Sequence, residues 1–321
     1  KAVNKLIERH ESFRTHFENR NGEIVQVIDE QTELTVEEYE SKNIGEFIRP
    51  FDMSVSPLFR VGFADDILMI DMHHSIVDGE SLPIFYRELN ELYMGRELQK
   101  NAVQYGEFVL KETDIEESDL YWLSVFEDKV PTFELIIDYP RREKQTFGGS
   151  ANYDIIDISL HNRIKEKCAE LGITPYVFYM ASFNILLSKY SGNEDIVVGT
   201  PKSGREGYFL DTVGMFVNTV VLRSKPEGEK RVSDLLQEIK NNSIAAIEHQ
   251  NYPFGNLVKK LEIEVGSRNP LYDVILAYQS ERIADMMFSD EKAQALPVPI
   301  TTAKNDFSFY ILPREDSVVV A

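Results

Sequence analysis

Apolar and polar positions along this chain follow two spacings, one typical of strands and the other typical of helices. Residues 67–72 form a mostly apolar run with the composition of a strand. Residues 81–93 repeat apolar side chains at helical spacing, with Ser81 as the predicted N-cap and Pro83 in the first turn. The pattern therefore predicts a strand that passes directly into a helix through residues 73–80.

The same two spacings recur on both sides of a polar stretch. Helical spacing predicts helices at residues 2–10, 120–123, 161–171, 176–190 and 232–247. Strand patterns predict strands at residues 13–17, 24–28, 153–158, 195–199 and 271–279. Residues 131–147 contain two prolines and a run of charged residues, which is typical of a linker. The pattern predicts two α/β lobes.

Composition and charge exclude several classes of function. A length of 321 residues suits one large domain or two lobes, and the formal charge of −20 disfavours nucleic-acid binding, which needs a basic surface. The single cysteine, Cys168, excludes an internal disulfide, indicates a reducing compartment, and lies in a helical pattern that favours a core position over a nucleophile. The chain shows no signal-peptide pattern and no apolar run of membrane-spanning length. We therefore expect a cytoplasmic protein that binds neither nucleic acid nor a membrane.

The candidate chemistry lies in residues 73–80, where His73 and His74 are followed by Asp78 and Gly79. A histidine in a loop between strand and helix can act as a base, because its unperturbed pKa is about 6.5. Asp78 could orient that base or hold the loop, and Gly79 permits a tight turn or the close approach of a substrate. Adjacent histidines on a strand point to opposite faces, and no HExxH motif or cysteine-rich set accompanies them, so a metal site is disfavoured. From these residues alone, catalysis and a structural role are about equally supported.

The segment HHSIVDG at residues 73–79 resembles the HHxxxDG signature of the condensation domains of nonribosomal peptide synthetases. Other segments resemble further motifs of that family, in the family's order: RHESFRTHF at 9–17, YGEF at 105–108, VGMFVNTVVLR at 213–223, HQNYPF at 249–254 and SRNPLYD at 267–273. HHxxxDG by itself is shared with a wider acyltransferase superfamily, but the ordered set covers nearly the whole chain. The chain is therefore identified as a member of the condensation domain family by resemblance.

The resemblance implies an α/β fold of the α+β type, with two lobes similar to chloramphenicol acetyltransferase that form a V-shaped pseudodimer around a central tunnel. It implies an N-terminal lobe at residues 1–140, a C-terminal lobe at residues 141–321, and the histidine loop at the midpoint of the tunnel. Family members begin before the helix that precedes RHExxRT and continue beyond residue 309 for longer than this chain does. We therefore expect the start of the first lobe and the end of the second to be missing.

The resemblance also implies a reaction and roles for the loop residues. The amine of a carrier-bound aminoacyl thioester attacks a carrier-bound acyl or peptidyl thioester, and an amide forms. His74 is expected to act on the amine, as a general base or by orienting it, with His73 in a supporting role. Asp78 is expected to hold the loop by pairing with Arg205 from the opposite lobe, and Gly79 to let the acyl or amide group come close.

Further residues are assigned by the same resemblance. Arg9 and Arg14 are expected to support the site through structural contacts or to line the tunnel. Asn218 is expected to bridge the lobes by hydrogen bonding. Ser81 and Gln279 are expected to face the substrate tunnel.

The implied substrates travel on the phosphopantetheine arms of upstream and downstream peptidyl carrier domains, beside an adenylation domain. No tightly bound cofactor and no metal are expected. Glu80 and Ser81, which follow the motif, resemble members that accept a D-configured donor or a lipid starter. Three alternatives stay open: a non-catalytic docking domain of the same fold, an epimerization domain, and a free-standing acyltransferase that uses a diffusible thioester. The intact histidines disfavour the first alternative, and the Arg-Asn-Pro segment at residues 268–270 disfavours the second.

Overall fold

The computed structural model describes residues 1–40, 44–99, 102–111, 115–131, 135–264, 266, 268–279, 287–289, 291–296, 298, 300–314 and 316–321. Its helices are α1 (Ala2–Arg9), α2 (Ile44–Phe47), α3 (Ser81–Tyr93), α4 (Tyr105–Val109), α5 (Glu116–Val125), α6 (Ile158–Leu171), α7 (Pro175–Ser191), α8 (Val232–Glu248) and α9 (Phe254–Lys260). Its strands are β1 (Thr15–Arg20), β2 (Glu23–Ile28), β3 (Glu37–Glu38), β4 (Phe59–Ala64), β5 (Ile67–Met72), β6 (Asp154–Asp157), β7 (Ile196–Ser203), β8 (Val217–Ser224), β9 (Val274–Tyr278), β10 (Met287–Phe288), β11 (Glu291–Lys292), β12 (Phe307–Pro313) and β13 (Ser317–Val320). The mixture of helices and strands confirms the predicted α/β class.

The described residues divide into two compact units, each built from separate segments of the chain. The first unit contains Lys1–Glu112, Arg205–Val217 and Arg282–Val298. Strands β3, β4 and β5 form a three-stranded sheet in this unit, and β1 pairs with β2 in a separate hairpin. The hairpin turns at Asn21 and Gly22, which both have positive φ, as a two-residue turn between antiparallel strands requires.

The core of the first unit forms where apolar stripes of two helices meet the three-stranded sheet. Helices α1 and α3 and strand β4 contribute buried side chains at Leu6, Ile7, Phe59, Val61, Phe85 and Leu89. Burial of apolar side chains of this size is the main favourable contribution to folding. This core supports strand β5 and helix α3, the two elements that flank the histidine loop.

The second unit contains Thr113–Gly204, Asn218–Glu281 and Pro299–Ala321. Its six-stranded sheet has the order β6-β13-β12-β9-β7-β8, with β9 parallel to both β7 and β12 and with β13 antiparallel to both β12 and β6. Helix α7 contributes Val177, Met180, Phe183 and Leu187 to the core beside this sheet. This burial explains why residues 176–190 are mostly apolar.

The two compact units divide the chain differently from the predicted lobes, whose boundary lay near residue 140. Helix α5 belongs to the second unit, because Trp122 and Phe126 are buried in its core. Arg205–Val217 belongs to the first unit, where Val213 is buried and its carbonyl oxygen accepts a hydrogen bond from Ser12 Oγ over 2.9 Å. Each predicted lobe was one continuous stretch of chain. In the structure, residues 205–217 instead belong to the first compact unit, because their buried contacts are with that unit.

Most predicted elements are present within a few residues of their predicted limits. β5 and α3 have the predicted limits of 67–72 and 81–93. The first predicted strand was wrong at its start, because Glu11–Arg14 form a turn of 3-10 helix that buries Phe13, and β1 begins only at Thr15. Among the described residues of 131–147 there is no helix or strand, as the linker prediction required.

Cys168 is buried in α6, in agreement with its predicted core position, and burial raises the pKa of its thiol. Among the described residues, no single helix is long and apolar enough to span a membrane, although α6 and α7, which meet at a bend of 102°, reach the required length and apolarity together.

Candidate active site

The histidine loop is an extension of strand β5 that is attached to the core at both ends. The backbone N–H of His73 donates to Leu58 O over 2.9 Å, which adds one more hydrogen bond to the pairing of β4 with β5. Ile76 and Val77 point into the core and are almost fully buried. The two apolar side chains therefore anchor the middle of the loop. His74, which precedes them in the chain, is exposed.

The side chain of His74 is held in one tautomer. Its Nδ1 lies 2.7 Å from Val77 O. Because a carbonyl oxygen can only accept, Nδ1 must carry the proton. In the neutral ring, Nε2 then holds the free lone pair and is the nitrogen that can accept a proton from a substrate.

The side chain of His73 is held in the opposite tautomer. Its Nδ1 accepts from the backbone N–H of Ser75 over 3.2 Å and lies 2.8 Å from Ser75 Oγ. A ring nitrogen that accepts from a backbone N–H carries no proton, so the neutral ring of His73 is protonated at Nε2. The loop thus presents one histidine whose outer nitrogen can accept a proton and one whose outer nitrogen can donate.

A partly buried cluster borders His73 on the side of the sheet. The guanidinium of Arg60 lies 3.8 Å above the ring of Phe51 and 3.4 Å from the Asp71 carboxylate. The ring of Phe51 meets His73 edge to face, with centroids 6.1 Å apart. Burial raises the pKa of Asp71, and the charges of Arg60 and His73 act against that rise. These contacts restrict the orientation of His73 and favour its supporting role.

Asp78 closes the loop at the start of helix α3. Its Oδ1 accepts from the backbone N–H of Ser81 over 3.0 Å, and the same N–H also donates to Asp78 O over 3.1 Å. The Asp78 carboxylate, rather than the predicted N-cap Ser81, therefore binds the first N–H of the helix. A carboxylate at that end of a helix is also favoured by the helix dipole. Its Oδ2 accepts from the backbone N–H of Phe216 over 3.1 Å.

Arg205 provides the positive charge that Asp78 needs in its buried position. Arg205 Nη1 donates to Asp78 Oδ2 over 2.5 Å, and the two side chains are 3% and 0% exposed. The Arg205 guanidinium also donates to Thr212 O and lies 4.3 Å above the ring of Phe216. The structure therefore contains the expected pair, but Arg205 lies in the first compact unit with Asp78, not in an opposite one.

Ser81 is part of the same buried network and has no exposed surface, so the prediction that it faces the substrate tunnel is wrong. Its Oγ accepts from Arg205 Nη2 over 2.8 Å and from the Gly214 N–H over 3.1 Å. Asp78 Oδ1 and Gly214 O both lie 2.9 Å from Ser81 Oγ. The hydroxyl has a single proton, so it donates to one of these two oxygens. Ser81 thereby joins Asp78 to the segment that contains Arg205.

Gly79 is the exposed residue beside this network. A Cβ placed on it would meet no atom within 4 Å, and its φ lies outside the left-handed region. Neither backbone conformation nor packing therefore requires glycine at this position. The open space over Gly79 is consistent with its predicted role in admitting a substrate group.

Arg9 and Arg14 make structural contacts within the first unit. Arg9 Nε donates to Glu88 Oε2 over 3.1 Å, and His10 Nε2 lies 2.6 Å from the same oxygen. Burial by itself raises the pKa of Glu88, but His10 and Arg9 together hold it below its usual value. Arg14 Nη1 donates to the backbone carbonyl of Asp29.

Asn218 and Gln279 lie in the second unit. Asn218 Nδ2 donates to Gln250 O over 2.7 Å and to Tyr252 O over 2.9 Å, so these hydrogen bonds link β8 to the turn after α8 within that unit rather than bridging the predicted lobes. Gln279 is exposed, and its backbone N–H donates to Ile311 O. Its place in a tunnel stays a prediction.

The site also contains Tyr105, Gly214 and Phe216, which lie in segments that resemble family motifs but had no predicted role in the site. The backbone of Gly214 and Phe216 contacts Ser81 and Asp78, and the Tyr105 hydroxyl donates to Met215 O over 2.8 Å. Gly214 was the available signal, since a glycine permits close approach of the backbone to another group. Within the described residues, no group of three or more His, Cys, Asp or Glu side chains is arranged to hold a metal ion.

Comparisons with known proteins identify the family of this chain. The chain belongs to the Condensation domain family, whose model matches residues 1–320. The chain is 40% identical over 340 residues to Gramicidin S synthase 2 of Brevibacillus brevis, an alignment that covers 99% of this chain and 8% of that protein. The chain is thus similar to one small part of a much longer synthase.

Solved structures show the same fold. A four-domain nonribosomal peptide synthetase bound to AMP and glycine matches with a TM-score of 0.87 at 19% identity, over 99% of this chain and 27% of that one. The condensation domain of the Monacolin K polyketide synthase matches with a TM-score of 0.83 at 19% identity, over 99% of this chain and 82% of that one. The match to the family model and the shared fold therefore define the class of this chain as a condensation domain.

Proposed function

We propose that this chain joins an acyl or peptidyl group, held as a thioester on one phosphopantetheine arm, to the α-amine of an aminoacyl thioester on a second arm. The amine nitrogen attacks the donor carbonyl carbon, a C–N bond forms, and the C–S bond breaks. The thiolate that leaves takes up a proton equivalent to the one the amine loses. The products are an amide on the second arm and a free thiol on the first.

One observation carries this proposal: the Nδ1 proton of His74 is bound to Val77 O, so Nε2 is the free acceptor on an exposed ring. An α-amine has a pKa of about 8, and it must lose a proton as the amide forms. We assign that proton to His74 Nε2, which accepts a hydrogen bond from the amine and holds its lone pair toward the carbonyl carbon.

His73 has a supporting role in the proposal. The nitrogen of His73 that faces away from Ser75 is protonated in the neutral ring, so it cannot accept the amine proton. Phe51 and Ser75 hold the ring in place. A thioester is already activated, and accurate placement of two tethered reactants supplies much of the acceleration. A rigid loop therefore suits the reaction.

The experiment that tests this function uses the full-length protein with donor-loaded and acceptor-loaded carrier domains. Mass spectrometry would follow the condensed product under single-turnover conditions for the wild type, His74→Ala and His73→Ala. We expect a loss of about a hundredfold or more for His74→Ala, the usual size of a general-base contribution, and a smaller loss for His73→Ala.

A matched histidine control lies in the second unit, where His249 Nδ1 is 3.0 Å from Ser118 Oγ and its ring stacks on Tyr121. His249→Gln is expected to keep the wild-type rate. Undiminished product from a folded His74→Ala variant would contradict the assignment of His74. A wild type that forms no product with any donor would favour the docking or epimerization alternative.

We further propose that the donor has the D configuration or is a lipid starter, because Glu80 and Ser81 follow the motif as in members of those types. The same assay with D- and L-configured donors tests this point. Faster condensation of the L-configured donor would contradict it.

We also propose carrier domains and an adenylation domain as partners. The chain spans about 8% of the length of Gramicidin S synthase 2, which supports a place within a longer multidomain protein. Crosslinking of pantetheine-loaded carriers to the full-length protein tests this partnership, and equal crosslinking of unloaded carriers would contradict it.

A further inference from the structure

Tyr105 contacts three successive residues of the segment that holds Asp78. Its hydroxyl donates to Met215 O over 2.8 Å, and its ring meets the ring of Phe216 edge to face with centroids 5.0 Å apart. Its ring also lies directly on the backbone at Gly214, where a Cβ would be only 2.5 Å from Tyr105 Cδ2. Tyr105 therefore restrains residues 214–216 through a hydrogen bond, ring packing and close backbone contact.

Residues 214–216 contact the histidine loop through their backbone. The N–H of Gly214 donates to Ser81 Oγ over 3.1 Å, and the N–H of Phe216 donates to Asp78 Oδ2 over 3.1 Å. These two amides are on either side of Met215, whose carbonyl Tyr105 holds. A shift of Met215 would therefore move both donors and loosen the carboxylate that closes the loop.

Tyr105 is itself held in place by the residue before it. Gln104 Nε2 donates to Arg9 O over 3.0 Å, and Gln104 Oε1 accepts from the Glu11 N–H over 2.9 Å. Gln104 also forms a capping box with Glu107 at the start of α4. Helix α4 is thus attached to the end of α1, and Tyr105 extends from it toward Met215.

Burial and the nearby negative charge of Asp78 raise the pKa of Tyr105, while Arg205 acts against them. The phenol therefore keeps its proton at neutral pH and remains the donor to Met215 O. In its observed orientation, the backbone of residues 214–216 makes hydrogen bonds to Tyr105, Ser81 and Asp78 together.

We propose that Tyr105 is a positioning residue for the condensation reaction: it holds the backbone at 214–216 so that Asp78 and Ser81 keep the His74 loop in its productive conformation. The proposal rests on the proposed function and adds a residue to it. Tyr105 acts through Met215, Gly214 and Phe216 and is not assigned any contact with substrate.

The test replaces Tyr105 by phenylalanine, which removes the hydrogen bond to Met215 O and keeps the ring. Tyr39→Phe is the matched control, because Tyr39 is in the same unit and its hydroxyl donates to Glu37 Oε2 over 2.7 Å, away from the loop. In the full-length protein we expect Tyr105→Phe to lower the single-turnover rate about five- to tenfold, the equivalent of one ordinary hydrogen bond. The KM for both loaded carriers is expected to stay at the wild-type value.

A second readout does not depend on activity. The ¹⁵N chemical shifts of the His74 imidazole report which ring nitrogen carries the proton. We expect the wild type and Tyr39→Phe to show the Nδ1–H tautomer, and Tyr105→Phe to show a mixture of both tautomers. A residue that merely stabilises the fold elsewhere would not change this spectrum.

A double mutant separates positioning from an independent effect. If Tyr105 acts through the network of Ser81 and Asp78, Tyr105→Phe adds no further loss of rate to Ser81→Ala. Additive losses together with an unchanged His74 spectrum would overturn the proposal, and so would a wild-type rate in Tyr105→Phe. If the wild type forms no amide, the proposed function fails, and the His74 spectrum still decides whether Tyr105 holds the loop.

Discussion

Arg205 Nη1 lies 2.5 Å from Asp78 Oδ2, although 127 positions separate the two residues in the chain. Both side chains are buried, and both belong to the first compact unit. A buried carboxylate that lacks a cation is strongly disfavoured, so this contact stabilises the closed chain around Asp78 together with the hydrogen bonds from Ser81 and Phe216. The position of the histidine loop therefore depends on a residue from the far part of the sequence.

Removal of the positive charge from this pair should strongly destabilise the protein. Arg205→Met keeps most of the side-chain volume but leaves Asp78 buried without a cation, and we expect unfolding to become easier by about 3–5 kcal/mol. The matched control is Arg87→Met, because Arg87 and Asp211 form a pair that is 56% and 76% exposed. Urea unfolding should show a change of only about 0.5 kcal/mol for the control. Similar small changes in both variants would contradict the buried role of Arg205.

Two glycines near the loop should respond to alanine in opposite ways. Gly79→Ala should leave the thermal midpoint unchanged, because the new methyl group enters open space, and should lower the condensation rate about tenfold if the donor group passes there. Gly214→Ala should destabilise the fold by about 1–3 kcal/mol, because its methyl group would overlap the ring of Tyr105. A Gly79→Ala variant with wild-type turnover would argue against close approach of substrate at this position.

Asn218 should matter for stability and not for catalysis. Asn218→Asp replaces a donor by an acceptor opposite the carbonyl oxygens of Gln250 and Tyr252, and we expect a loss of about 1–3 kcal/mol of stability. Asn241→Asp on the exposed face of α8 is the control, and its effect should stay within about 0.5 kcal/mol. Denaturant unfolding measures both variants. A large change in KM without a change in stability would instead indicate a contact with substrate.

His16 should make the stability of the protein depend on pH. Its Nδ1 lies 3.0 Å from Asp29 Oδ2 and its Nε2 lies 3.3 Å from Glu18 Oε1. Burial by itself lowers the pKa of His16, but the hydrogen bonds and charges of Glu18 and Asp29 together raise it above its ordinary value. Two arginines act on the carboxylates that contact His16. Arg14 lowers the pKa of Asp29, and Arg20 lowers the pKa of Glu18.

The sign of the effect follows from this raised pKa. The stabilising contribution of His16 is fully present below the unfolded value of about 6.5 and is lost as the pH rises through the folded pKa. The pKa values of Glu18 and Asp29 are lowered, so both remain charged in this range. The difference in unfolding free energy between wild type and His16→Gln should therefore shrink as the pH rises from about 6.5 through the folded pKa of His16. A constant difference over this range would show that the ion pairs do not contribute.

Local structure was largely predictable from the pattern of residues. The limits of β5 and α3 follow from spacing and composition, because a strand and a helix expose their apolar side chains with different periods. The expected position of His73, His74 and Asp78 between these two elements was also correct. Errors occurred where tertiary packing overrides local preference, as at Phe13, which the core draws into a turn of 3-10 helix.

The sequence by itself determined the class of fold, the order of the elements around the histidine loop and, through its motifs, the family. Only the tertiary structure decided which compact unit residues 205–217 join, which ring nitrogen of each histidine carries the proton, and that Ser81 is buried. The physical reason is that hydrogen-bond partners and burial depend on atoms brought together from distant parts of the chain. Spacing along the sequence carries information about one element at a time, whereas the network of Asp78, Arg205 and Tyr105 exists only after folding.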